Sequence, residues 1–286
     1  MMIDSGLAEV HVQRAVTVTT AVCGLPAVAT QDWCDDAAAS LVGVRSGGLV
    51  AVTIGVLGSQ GEFSMVEASG CSDRDRSFVV RPEHSTALGW WLPERGTPGV
   101  RTALLRDLPT ARVWAGTDPG MRWARYGMRD LIVGLAPMGG TPGRCLAVEI
   151  GIPGERGIPE AADAIVLRGV LAPLARRALV AFGAQPSATG NRLTPREQQV
   201  LEHLALGKSV KQIADELGRS AHTVHDHVKS LHRKLNASSR GELIARALGH
   251  IEACARDRVD VHVESRSARE FLDASVPDTA SRALAS

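Results

Sequence analysis

Lysine is absent from the first 189 of the 286 residues; all four, Lys208, Lys211, Lys229 and Lys234, fall between 190 and 250. Aromatics are scarce, at five Trp, one Tyr and four Phe, so any core must rest on Val, Leu, Ile and Ala. No apolar run approaches the roughly 18 residues that a membrane span needs. The longest, Leu49 to Leu57, is rich in β-branched residues and reads as a buried strand. The five cysteines, Cys23, Cys34, Cys71, Cys145 and Cys254, are odd in number and form no C-x-x-C pair. No secretory leader precedes them, so the expected home is a reducing cytoplasm. What is present is a core-forming chain, 44% apolar and 22% charged, with length for roughly two domains.

The formal +1 of the whole chain hides a local imbalance. Residues 190–250 carry ten Lys/Arg against six Asp/Glu, a net +4, together with six of the nine histidines. The positive field is therefore concentrated in one segment. Ahead of it, the run from Gly183 to Asn191 is small, polar and uncharged, as a connector should be. We place a linker at 183–192 between a first domain at 1–182 and a second at 193–250, with a tail at 251–286 that either adds a short helix or is disordered. In the first domain the pattern predicts helices near 7–22 and 32–44 and a hairpin of strands at 49–58 and 62–68. An irregular Pro/Gly/Arg-rich middle follows, then strands at 130–135 and 144–152, and a long helix at 158–182. That order implies an α+β domain with a small antiparallel sheet flanked by helices. In element order it resembles GAF and PAS sensor domains.

Residues 193–248 contain four successive helix signals. Thr194-Pro195-Arg196-Glu197 is a capping box with Pro at the first helical position, Ser209-Val210-Lys211-Gln212 is a second box, Ser220 caps a third helix to about Leu235, and Ser239-Arg240-Gly241-Glu242 boxes a fourth. Gly207, Gly218 and Gly249 supply stops. The second and third helices, separated only by Gly218-Arg219-Ser220, have helix-turn-helix spacing, in which the second member enters the DNA major groove. On that helix Val224, Val228, Leu231 and Leu235 share one face, while His222, Asp226, Lys229 and Arg233 gather opposite. One face is core; the other is free to reach bases and phosphates. The expected fold of 193–250 is therefore an all-α, tetrahelical bundle.

These residues also match a family pattern. Leu193-Thr194-Pro195-Arg196-Glu197, Val200-Leu201, Gly207, Lys211-Gln212-Ile213-Ala214, Leu217, Thr223-Val224, His227-Val228, Lys234-Leu235 and Ser238-Ser239-Arg240 resemble the DNA-binding domain of LuxR-type (GerE, NarL/FixJ-like) transcriptional regulators. The resemblance covers about a fifth of the chain. It implies dimerisation through the last helix and binding to an inverted-repeat operator in double-stranded DNA. It also implies groove contacts from His225, Asp226 and Lys229, and backbone contacts from Lys211, Ser220, Thr223 and Arg240. Two positions depart from the pattern. His225 stands where Lys is common, and Asp226 brings a negative charge that is either a reader of cytosine N4 or a brake on non-specific binding.

Other readings have weaker anchors. Gly207-Lys208-Ser209 mimics the end of a phosphate-binding loop, but Glu202 stands where its first glycine belongs. No G-x-S-x-G or H-E-x-x-H motif occurs, so no enzyme and no cofactor is expected. His222 and His225 lie one turn apart, yet no Cys or carboxylate completes a metal set around them. His227 reads as a packed structural residue and Glu197 as a cap. Residues 1–189 lack the Lys of a phosphoryl receiver and, with one Tyr, the aromatic cluster of an acyl-homoserine-lactone pocket. Trp90-Trp91, Trp114 and Trp123 line a ligand pocket or are plain core. The sequence thus predicts a homodimeric DNA-binding regulator whose N-terminal domain senses a signal or mediates dimerisation, with RNA polymerase and a small-molecule ligand as open partners and no membrane. The alternative is a non-catalytic protein-interaction module reusing the fold.

Overall fold

The computed structural model describes residues 5–58, 63–73, 99–109, 111–156, 160–184 and 192–249, with side chains from residue 9 onward. All belong to the unit Met1–Ala253; the second unit, Cys254–Ser286, lies outside the described residues. So do Trp90, Trp91, most of the connector and the tail.

Helices α1 (Ser5–Cys23) and α2 (Trp33–Ser40) precede the strands β1 (Leu49–Leu57), β2 (Phe63–Cys71) and β3 (Arg101–Leu104). Short helices α3 (Ala111–Trp114) and α4 (Asp118–Arg125) lead to β4 (Met128–Pro137), β5 (Arg144–Pro153) and the long α5 (Ala161–Phe182). The strands form one antiparallel sheet in the order β2-β1-β5-β4-β3. The expected hairpin of β1 and β2 is present and the two later strands also pair with each other, although β2 runs to Cys71 and β4 starts at Met128. The middle of the domain, expected to be irregular, holds β3, α3 and α4. β3 is only four residues long and is fixed by pairing to β4, so periodicity could not reveal it. α4 forms around the Thr117 cap, with Gly120 packed so close to the Trp114 carbonyl that a Cβ there would lie 2.0 Å from it.

The sheet is covered on both sides. Val50, Val52, Ile54, Leu146, Val148 and Ile150 face α1, α2 and α5, where Val18, Val22, Trp33, Leu167, Leu171 and Leu174 complete the main core. The opposite face carries Leu49, Ala51, Leu131 and Val133 beneath Trp114 and Trp123. Both tryptophans are thus packed under α3 and α4. A buried ion pair joins Glu67 of β2 to Arg144 of β5 at 2.9 Å, and Arg144 also donates to the Gly183 carbonyl at the end of α5.

The C-terminal segment folds into α6 (Pro195–Ala205), α7 (Val210–Leu217), α8 (Ala221–Lys234) and α9 (Arg240–Ala247). Leu193, Val200, Leu201, Leu204, Ile213, Ala214, Val224, Leu231 and Leu243 form its core, which also takes in Val28 from the loop after α1. Leu193 donates to the Ala29 carbonyl (2.8 Å) and accepts from the Gln31 N–H (3.0 Å), while Arg192 donates to the Glu67 backbone carbonyl (2.7 Å).

Candidate nucleic-acid interface

The interface is assembled from local signals that the chain carries in order. Thr194 and Glu197 cap α6 reciprocally, as do Ser209 and Gln212 for α7. Gly218 ends α7 at φ +61°, in the left-handed region that spares the turn a Cβ penalty. Two residues later, the Ser220 hydroxyl accepts the Thr223 N–H at 3.0 Å and starts α8. At α9 the expected box is displaced: Ser239 accepts the Glu242 N–H (3.2 Å), but the Glu242 carboxylate returns to the N–H of Ser238 (2.7 Å).

α8 is held by Val224 and Leu231, both fully buried, with Val228 and Leu235 half-buried beside them. A second anchor is polar. Glu197 is buried in α6, where it accepts from Ser230 (2.7 Å) and Lys234 (2.7 Å) of α8 as well as from Thr194 (2.7 Å). Burial alone would raise its pKa, but these hydrogen bonds, led by Lys234, outweigh that and bring it down to about 2. The sequence marked Glu197 as a cap; its role as a clamp on α8 depends on two residues more than thirty positions away.

With α8 pinned from beneath, all nine residues predicted to meet DNA are exposed: Lys211, Ser220, His222, Thr223, His225, Asp226, Lys229, Arg233 and Arg240. His222, His225, Asp226, Lys229 and Arg233 share one side of α8, on which His222 Nε2 stands 3.6 Å and Lys229 Nζ 3.9 Å from the Asp226 carboxylate. Asp226 is thus a single carboxylate neighbour of His222. Even so, the described residues contain no group of three metal-ligating side chains. The side chains of Lys211 and His225 make no hydrogen bond or ion pair with any described residue. Arg240 differs: its guanidinium donates to the carbonyls of Leu204 and Lys208, both at 2.9 Å, tying α9 to the end of α6. His227 is half-buried.

Two cations outside the predicted set change the local field. Lys208 is taken up by Glu216 and His203. Arg219 is exposed in the turn between α7 and α8, beside Ser220; a cation inside the turn was the available signal, and it was not among the expected contacts. The face thus presents hydrogen-bond donors and positive charge around a single carboxylate. That arrangement suits a polyanion whose base edges offer both acceptors and donors.

Comparison with known proteins agrees with this geometry. Residues 191–247 match the family described as bacterial regulatory proteins, luxR family (GerE). The transcriptional regulatory protein UhpA of Escherichia coli is 54% identical over 54 residues, which are 19% of this chain and 28% of UhpA. The nitrate/nitrite response regulator protein NarL of the same organism is 38% identical over 82 residues, 29% of this chain and 38% of NarL. The chain thus spans well under half the length of the curated relatives it matches. A crystal structure of E. coli SdiA is 19% identical and aligns with 70% of this chain and 82% of its own at a TM-score of 0.29, too low to bear on the arrangement here.

Proposed function

We propose, on the premise that residues 191–247 are a luxR-family helix-turn-helix domain, that the chain is a sequence-specific DNA-binding transcriptional regulator. α8 is its recognition helix. The observation that carries the reading is the division of α8 into a buried aliphatic side, Val224 and Leu231, and an exposed polar side running from His222 to Arg233. Lys229 and His225 read base edges, Asp226 selects cytosine or rejects unselective backbone contact, and Lys211, Ser220, Thr223 and Arg219 meet phosphates. Two copies bind an inverted repeat, and the α+β domain senses a signal or holds the copies together. No described helix is long and apolar enough to cross a membrane.

Selection from a random duplex library with the full chain tests this. The expected product is an inverted repeat whose half-sites lie about 10 base pairs, or a multiple of that, apart. A pool that shows no enrichment after repeated rounds overturns it.

A further inference from the structure

α1 packs along α5 over the main core of the first domain, and the two helices run parallel. Arg14 of α1 pairs with Asp163 of α5 at 2.7 Å, and further along Arg177 of α5 donates to the carbonyl of Leu25, just past the end of α1, at 2.5 Å. A helix that covers a core ordinarily turns polar residues to solvent. Here the outward side is apolar: Val10, Val12 and Val16 of α1 are 54%, 63% and 55% exposed, and Ile165 of α5 is 69% exposed. These are four of the nine large apolar side chains that stand exposed among the described residues, so the exposure is concentrated on one pair of helices. Of the exposed residues of α1 from residue 9 onward, only Glu9 is charged. Thr17 and Thr20 spend their hydroxyl donors on the carbonyls of Gln13 and Val16, both at 2.9 Å. An exposed apolar face of this kind marks an interaction surface.

The face is also self-complementary in charge. Its exposed acids, Glu9 and Glu160, stand at the N-terminal ends of the two helices, whereas its exposed cations, Arg168 and Arg176, lie further along α5. Val16 and Ile165 each follow the Arg14–Asp163 pair by two residues and so share one level. A second copy laid antiparallel, related by a two-fold axis through that level, brings Glu160 of each copy close to Arg168 of the other. A parallel copy sets acid against acid instead. Side by side, two helices about 10 Å wide and roughly 22–33 Å long offer an outline of roughly 600 Å², comparable with the ~800 Å² of accessible surface that each partner of a stable complex buries.

We propose that the outer face of α1 and α5 is the surface through which two copies of the chain associate in solution, antiparallel, about Val16 and Ile165. This face, rather than α9, is the principal contact between free copies. The proposal deepens the two-copy binding of the proposed function and rests on that reading.

Sedimentation equilibrium of the full chain tests it by charge complementation. One variant carries Val16→Glu with Ile165→Glu, the other Val16→Lys with Ile165→Lys. Both positions are exposed, so each variant should keep the native far-ultraviolet circular dichroism. The native chain should be a dimer, each variant alone should associate at least tenfold more weakly, and an equimolar mixture of the two should recover a heterodimer. Val113→Glu on α3 combined with Leu248→Glu on α9, both 56% exposed in the native chain, should leave association unchanged. Arg168→Glu alone should weaken it severalfold. The proposal is overturned if the native chain is monomeric at tens of micromolar, if the two variants associate as the native chain does, if their mixture stays monomeric, or if the Val113 and Leu248 changes dissociate the dimer equally. An Arg168→Glu chain that associates undiminished overturns the antiparallel arrangement. Duplex binding by the same samples separates the two readings: a native chain that binds DNA but fails these tests removes only this surface, and a dimer that binds no DNA removes the regulatory assignment.

Discussion

Replacing Glu197 with Gln removes one charge from the joint between α6 and α8. In the native chain the carboxylate accepts from the Thr194 N–H, Ser230, Lys234 and the Thr194 hydroxyl, and its pKa falls from 4.5 to about 2. At 1.36 kcal/mol per unit, that difference corresponds to about 3 kcal/mol favouring the ionised, folded state. Because the folded pKa is the lower one, the contribution is complete above pH 4.5 and disappears as pH falls toward 2. Glu197→Gln keeps the side-chain shape but leaves Lys234 facing a neutral amide, so a loss of about 2–3 kcal/mol is expected at pH 7. All five tryptophans lie before residue 124, so their fluorescence does not report on this bundle. Urea unfolding followed by far-ultraviolet circular dichroism does, as does hydrogen exchange of the α8 amides, which should speed up about a hundredfold. A variant within about 0.5 kcal/mol of the native chain at pH 7 would refute the reasoning, as would a deficit that is unchanged at pH 3.

Three further outcomes follow from single features. Gly218→Ala meets nothing within 4 Å of the new Cβ, so it should cost only the left-handed backbone penalty, about 1 kcal/mol in urea unfolding, with Gly218→Asn costing less. Arg144→Met removes the ion-pair partner described for the buried Glu67 carboxylate and should cost about 3–5 kcal/mol, while Arg144→Met combined with Glu67→Leu should recover most of it. Because the Glu149 pKa is raised from 4.5 to about 7, the native chain should lose about 3 kcal/mol of stability as pH rises through that window; Glu149→Gln should abolish the slope.

The C-terminal bundle was legible because its instructions are local. Each start depends on a Ser or Thr and a residue three positions on, and Gly218 marks its stop without reference to the rest of the chain. The two long hairpins were legible for the same reason, as runs of β-branched residues interrupted by turn formers. The middle of the first domain was not: β3 exists through its pairing with β4, and α3 and α4 hold together by burying Trp114 and Trp123 against the sheet. Side-chain roles set by distant partners were equally hidden. Glu149 sits in a near-continuous apolar run, and only a sheet covered on both faces makes it buried. Within the candidate interface, exposure of the predicted contacts could be inferred from helical spacing, whereas the diversion of Arg240 to two carbonyls at the end of α6, more than thirty residues away, could not.

The central claim is that α8 holds a polar edge out to duplex DNA, and a salt titration of operator binding tests it most directly. If several phosphates are neutralised, log affinity should fall linearly with log salt at a slope near −0.9 per phosphate, and Lys211→Ala should reduce that slope by about one. Lys229→Ala should instead relax sequence preference as it weakens binding. Duplex affinity that is indifferent to salt and unchanged in both variants would contradict the account.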